Sequence, residues 1–235
     1  MPASPAQGLF IVGNDTEVGK TQITAGLCYL LHQAGNTVAP RKPVASGYQD
    51  FDGQHALSDD AILAASVAHS VSVDVITRYR FQAPLAPHFA ARLEGKTLTM
   101  EMLHRAALQH LTPESMSIIE GAGGFYSPMA EDGLCSDLAV QMQLPIVLVI
   151  SNQLGCINQT LMSVRAIERE GLMLHSIILN QTTPSTENTL AQHAETICQY
   201  THHRPFTVPY FKHGLTPRWQ RIAYALNEQG WNAAG

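Results

Sequence analysis

The segment Gly13-Asn14-Asp15-Thr16-Glu17-Val18-Gly19-Lys20-Thr21 lies between an apolar run, Gly8 to Val12, and an apolar helical pattern, Ile23 to Leu31. Strand, glycine loop and helix in that order form the setting of a phosphate-binding loop. Successive backbone N–H groups line a concavity for phosphate oxygens, and the following helix adds its positive end. Lys20 would supply a mobile charge for the β- and γ-phosphates and Thr21 a hydroxyl for Mg²⁺. The usual spacing has four residues between the first Gly and Gly-Lys. Here five separate Gly13 from Gly19. Alone, that marks either a variant loop or a glycine-containing strand-to-helix turn with an exposed Lys.

Further short apolar runs alternate with helical patterns. They predict strands near 8–13, 37–42, 116–120, 145–150, 174–179 and 206–208. Helices are predicted near 19–34, 58–68, 99–111, 136–142, 156–170, 186–200 and 216–228. This order implies an α/β fold: a mainly parallel sheet with helices on both faces, in the manner of P-loop NTPases. Functional groups should gather at the carboxyl ends of the strands. The stretch Arg78 to His88, with Pro84 and Pro87, reads as an ordered loop. At 235 residues, 45% hydrophobic and 14% charged, the chain suffices for one large domain over 1–235.

Composition removes several classes. The net charge is −5 and Lys and Arg form no cluster, so no nucleic-acid footprint is present. Cys28, Cys135, Cys156 and Cys198 are scattered without zinc spacing and read as reduced thiols of a cytoplasmic protein. Met1 to Gln7 lacks the features of a secretory signal. The longest apolar run, Leu144 to Ile150, is too short to span a bilayer, so no membrane partner is expected.

Other candidate groups sit at strand ends. Lys42 follows the second strand, where it can neutralise a transferring phosphoryl group or a carboxylate; a solvated Lys is the competing reading. Pro43 restricts its direction, and Ser46 and Gly47 can approach a ligand. Glu120 ends the third strand before Gly121-Ala122-Gly123-Gly124, which suits Mg²⁺ coordination. Asp59 and Asp60 open a helix after Ser58, where capping alone would account for them. Asn180 and Gln181 end the fifth strand and can face a purine. Gly155-Cys156-Ile157-Asn158 opens a helix whose N–H groups can take an anion or simply be capped. His88 is a lone His, and His202-His203 reads as a surface pair.

These segments together resemble the dethiobiotin synthetase family. They are GNDTEVGKT (13–21), KPVASG (42–47), SDDA (58–61), PLAPH (84–88), EGAGG (120–124), LGCIN (154–158) and LNQ (179–181), in family order from residue 8 to about 211. The family's loop carries the same extra residue. The resemblance implies a cytoplasmic homodimer that uses 7,8-diaminononanoate, CO₂ and MgATP. It implies a carbamate, a carbamic-phosphoric anhydride and ring closure to dethiobiotin, with ADP and phosphate released. By resemblance, Lys20 and Lys42 are catalytic, and Thr21, Asp60 and Glu120 hold Mg²⁺. Asp60 is preferred to Asp59 because Ala61 follows it, as in the family's Asp-Ala pair. ATP would lie against Thr16, Glu17, Val18, Gly19, Lys20, Thr21 and Gln22, against Glu120, Gly121, Ala122 and Gly123, and against Asn180, Gln181, Pro209, Tyr210 and Phe211. Ser46 would contact the diamine, and Gly155, Cys156, Ile157 and Asn158 of the partner subunit would take its carboxylate.

Three departures stand out: Asn14 where the family usually has Thr, Gln181 where Asp is commoner, and no assignable motif from Trp219 to Gly235. Two rival readings remain. A related P-loop amidoligase would need a glutaminase domain for which the chain has no room. A partitioning-type ATPase would need a basic stripe or terminal amphipathic helix that the sequence lacks.

Overall fold

A computed structural model describes residues 7–48, 58–184, 189–212 and 214–233. In chain order the elements are β1 (Gly8–Gly13), α1 (Lys20–Gln33), β2 (Thr37–Arg41), β3 (Val44–Ser46), α2 (Asp59–Ser66), α3 (Val73–Ile76), β4 (Tyr79–Phe81), α4 (Pro87–Leu93), α5 (Met100–Leu108), β5 (Ser115–Gly124), β6 (Pro128–Ala130), β7 (Gly133–Leu134), α6 (Cys135–Met142), β8 (Ile146–Ser151), α7 (Cys156–Arg169), β9 (Leu174–Asn180), α8 (Thr189–Thr201), β10 (Phe206–Val208) and α9 (Arg218–Glu228).

Six strands form one sheet in the order β10-β9-β8-β1-β5-β2, and all neighbours pair in parallel. Alternation along each strand divides the core. Phe10, Ile119, Leu148 and Ile177 pack with Leu103, Leu138, Val164 and Ile197, from α5, α6, α7 and α8. Leu9, Ile118, Val147 and Ile178 pack with Ile23, Leu27, Ile222 and Leu226, from α1 and α9. A strand buried on both faces reads as a continuous apolar run, which is why β1 and β8 are legible without polar alternation. The chain runs from β1 to one side for β2 and β5, then returns to the other for β8. That reversal opens a crevice at the carboxyl end of β1, where such folds bind ligands.

The stretch expected as a loop from Arg78 to His88 instead contains β4 and the start of α4. β4 pairs in parallel with β3, Val44 opposite Tyr79. Three-residue strands are too short to show a period, so nothing in the sequence separates them from loop. β5 runs through Gly124 rather than stopping at Glu120, because Gly121 to Gly124 continue the extended backbone. The motif-free C-terminus supplies core: Trp219, Ile222, Ala223, Leu226 and Trp231 are buried, with α9 lying on α1. The expected helix start at 186 and the N-terminal residues 1–6 lie outside the described residues. Among the described residues, no helix is long and apolar enough to cross a membrane.

Candidate active site

The loop after β1 is held from beneath. Gly19 caps α1 in the left-handed region at φ 87°, and a Cβ there would meet Asn180 Nδ2 at 2.3 Å. Only glycine serves at that point. Asn180, wholly buried at the end of β9, donates from Nδ2 to the Val18 carbonyl at 2.9 Å. Its Oδ1 is buried without a partner among the described residues. Lys20 Nζ reaches back across the loop to the Asp15 carbonyl at 2.6 Å. Burial pushes the Lys20 pKa below the ordinary lysine value, despite Glu120 nearby. An anion arriving in the loop would relieve that cost. The other side of the loop is tied to α7 by Asn14 Nδ2, which donates to Gln159 Oε1 at 2.6 Å. A Thr at position 14 has only a Cβ hydroxyl and lacks the amide that makes this bond. This departure from the family pattern therefore has a structural consequence.

The second strand end converges on the same point. Lys42 is fixed by its main-chain N–H, which donates to the Ile76 carbonyl at 2.8 Å. Its Nζ donates to Glu120 Oε1 at 2.9 Å and to Thr21 Oγ1 at 3.3 Å, and it forms a short ion pair with Asp59. Thr21 Oγ1 donates to the same Glu120 oxygen at 2.9 Å. Burial alone would lower the Lys42 pKa, but Glu120 and Asp59 outweigh it and raise the pKa above the ordinary lysine value. Asp59 is buried enough for desolvation to oppose its charge, yet Lys42 and Thr21 hold its pKa below the usual carboxylate range.

This cluster fits a divalent cation. The Lys42 ammonium stands among a hydroxyl and two carboxylates, oxygen donors of the kind Mg²⁺ prefers. Glu120 Oε2 is buried and has no partner among the described residues. Among the described residues, no group of three or more His, Cys, Asp or Glu side chains is placed to hold a metal ion by itself. Two carboxylates and a hydroxyl leave positions for water and phosphate oxygens, the usual Mg²⁺ arrangement in nucleotide sites.

Asp60 is placed otherwise than the sequence reading expected. Its Oδ2 takes Arg80 Nε at 2.8 Å and Nη2 at 2.6 Å, and its Oδ1 takes Ser58 Oγ at 2.5 Å and the Ala61 N–H at 2.9 Å. Both oxygens are occupied. Consecutive residues at a helix start diverge by about 100° around the axis, so only one of the two faces the loop. Asp59 does so, and Asp60 anchors β4 through Arg80. Arg80 sits in a three-residue strand with no period, so no sequence signal marked it.

The far side of the crevice is neutral. Asn152, just past β8, donates from its main chain to the Asn180 carbonyl at 2.8 Å and from Nδ2 to Gln181 Oε1 at 2.5 Å. Gln181 Nε2 in turn donates to the Thr183 carbonyl at 2.8 Å. Gly155 and Asn158 are exposed, Ile157 is half-buried and Cys156 is buried. Burial raises the Cys156 thiol pKa, which disfavours its thiolate. Ser46 is half-buried at the end of β3, and Gly121, Ala122 and Gly123 extend β5 beyond Glu120. Pro209, Tyr210 and Phe211 follow β10, with Phe211 under the Arg221 guanidinium at 5.1 Å. The structure thus gathers Lys20, Thr21, Lys42, Asp59 and Glu120, and it sets Asn180 under them. His88 is buried in the first turn of α4 against Phe89, with its Nδ1 unpartnered among the described residues.

A protein-family model described as an AAA domain matches residues 7–210. The ATP-dependent dethiobiotin synthetase BioD of Bacillus subtilis (strain 168) is 39% identical over 197 residues, covering 82% of this chain and 83% of that protein. That of Pseudomonas aeruginosa (strain UCBPP-PA14) is 38% identical over 190 residues, covering 79% and 83%. That of Anaeromyxobacter dehalogenans (strain 2CP-C) is 33% identical over 202 residues, covering 86% and 89%. With its lengthened phosphate loop and the lysine and carboxylates around it, the chain belongs to the ATP-dependent dethiobiotin synthetase family.

Proposed function

We propose that this protein makes dethiobiotin from 7,8-diaminononanoate and CO₂ with consumption of ATP, as a homodimer whose α7 start faces the partner's diamine. The observation that carries the reading is the Lys42 ammonium held between Glu120, Asp59 and Thr21 at the mouth of the phosphate loop. One amine takes up CO₂, forming an N–C bond and releasing a proton. The carbamate oxygen attacks the γ-phosphorus, and ADP leaves. The second amine then attacks the carbamoyl carbon; a second N–C bond forms, and phosphate departs with loss of a proton.

No group of the chain needs to become covalently attached to substrate. What the residues contribute is alignment and charge. The loop N–H groups and Lys20 grip the phosphates, with Lys20 exchanging the Asp15 carbonyl for phosphate oxygen. Lys42 turns from its carboxylates towards the oxygens shared by carbamate and γ-phosphate. Thr21, Asp59 and Glu120 would hold Mg²⁺, which when bound supplies charge neutralisation to the phosphate oxygens. Asn180 carries the loop and offers Oδ1 on the adenine side, with Gln181 and Pro209 to Phe211 beside it. Exposed Leu154 and Met162 flank the α7 start and fit a subunit contact.

The test is incubation with ¹⁴C-bicarbonate, diaminononanoate and MgATP. Labelled dethiobiotin with stoichiometric ADP is expected. Folded protein that binds ATP yet gives no labelled product would overturn the reading.

A further inference from the structure

We propose that His193 is a positioning residue, which locks the first turn of α7 to the nucleotide-side turn after β9. The inference rests on the reading of Gly155 to Asn158 as the seat of the substrate carboxylate. His193 projects from α8, and its Nδ1 lies 2.7 Å from Asn152 Oδ1 and 3.3 Å from Cys156 Sγ. Asn152 therefore stands between the α7 start and Gln181.

The direction of every bond in this chain is fixed from one end. The Thr183 carbonyl can only accept, so Gln181 presents Nε2 to it. Gln181 Oε1 must then face Asn152 and accept from Nδ2. That leaves Asn152 Oδ1 towards the imidazole, so His193 Nδ1 carries a hydrogen. The hydrogen is present whether the ring is neutral or charged. Cys156 Sγ lies 3.3 Å from the same nitrogen, where it can only accept a share of that one hydrogen. The Asn152 main-chain N–H also donates to the Asn180 carbonyl, and Asn180 carries the phosphate loop. One imidazole thus sets the α7 start against both halves of the site.

Asparagine at 193 places an amide N–H near the position of Nδ1, whereas glutamine places it near Nε2. Polar side chains of that size suit a half-buried helix position. In full-length protein, His193→Gln is expected to raise KM for diaminononanoate and for ATP about fivefold to tenfold, with kcat within about twofold, as the loss of one buried hydrogen bond implies. His193→Asn is expected to stay near wild type. A lowered melting temperature with both KM values unchanged in His193→Gln would mean a purely structural role and overturn the inference. Equal rises in both variants would also overturn it. Asn158→Asp separates the premise: it should raise the diamine KM by repelling the carboxylate. An unchanged diamine KM there would remove the seat reading, and with it this inference.

Discussion

The two sides of the crevice use opposite chemistry. On the β2 and β5 side, charge is concentrated: Lys42, Glu120, Asp59 and Lys20 lie within mutual reach, and Lys42 alone serves two carboxylates. On the β8 and β9 side, the contacts among Asn152, Gln181, Asn180 and His193 are amide and imidazole bonds without an ion pair. The ionic side can exchange partners, because the Lys42 ammonium is held by groups that a divalent cation can also engage. On the neutral side the Thr183 carbonyl fixes the donor and acceptor directions through Gln181, Asn152 and His193, so it holds shape while charge moves opposite it. A reaction that shifts charge between phosphate and carbamate benefits from both.

Substitutions can break this comparison. Glu120→Gln should have the largest effect, because it removes the carboxylate shared by Thr21 and Lys42. Turnover should fall by about 10²–10³, and no Mg²⁺ concentration should restore it. Asp59→Asn and Asp60→Asn come next and should separate in kind. Asp60→Asn leaves the Arg80 guanidinium with the exposed Asp74 as its carboxylate partner and should cost about 2 kcal/mol of stability by denaturant unfolding, with Mg²⁺ half-saturation unchanged. Asp59→Asn should raise Mg²⁺ half-saturation with stability nearly kept; the reverse pattern would return the metal role to Asp60. On the neutral side, Asn180→Ala should raise KM for ATP about tenfold, through loss of the bond that carries Val18.

Smaller tests sharpen the contrast. Asn14→Thr should lose about 1 kcal/mol or less, read as a modest fall in melting temperature. Burial pushes the Cys135 thiol pKa up to about 12. In native protein at pH 8 it should resist thiol reagents, while half-buried Cys198 reacts first. The Asp59 pKa is lowered by Lys42, so its ion pair stabilises the fold above the ordinary carboxylate pKa and is lost as pH falls through the lowered value. The stability difference between wild type and Asp59→Asn should accordingly be small at neutral pH and vanish as pH falls through the lowered value, read by denaturant unfolding at a series of pH values.

The ionic side was more legible in the sequence than the neutral one. Lys20, Thr21, Lys42 and Glu120 each end or follow an apolar strand, so topology alone brings them together. The neutral side depends on side-chain reach across four elements, and Asn152 and His193 carry no motif. That Asp59 meets Lys42 while Asp60 meets Arg80 follows from the direction of a helix start, which a neighbouring Ala61 does not encode. β3, β4 and the β6–β7 hairpin are too short for periodicity, and so Arg80 was unmarked. The α9 helix was foreseen as a helix, but its place on α1 follows only from the packing of Trp219 and Ile222.

The central claim is that the Lys42 ammonium leaves its carboxylates to neutralise the transferring phosphoryl group. Rapid-quench measurement of ADP formation by Lys42→Gln, beside equilibrium binding of a non-hydrolysable ATP analogue, tests it most directly. The account predicts a phosphoryl-transfer rate lower by about 10²–10³ with analogue affinity within about threefold of wild type. A near-normal rate in that variant would contradict it.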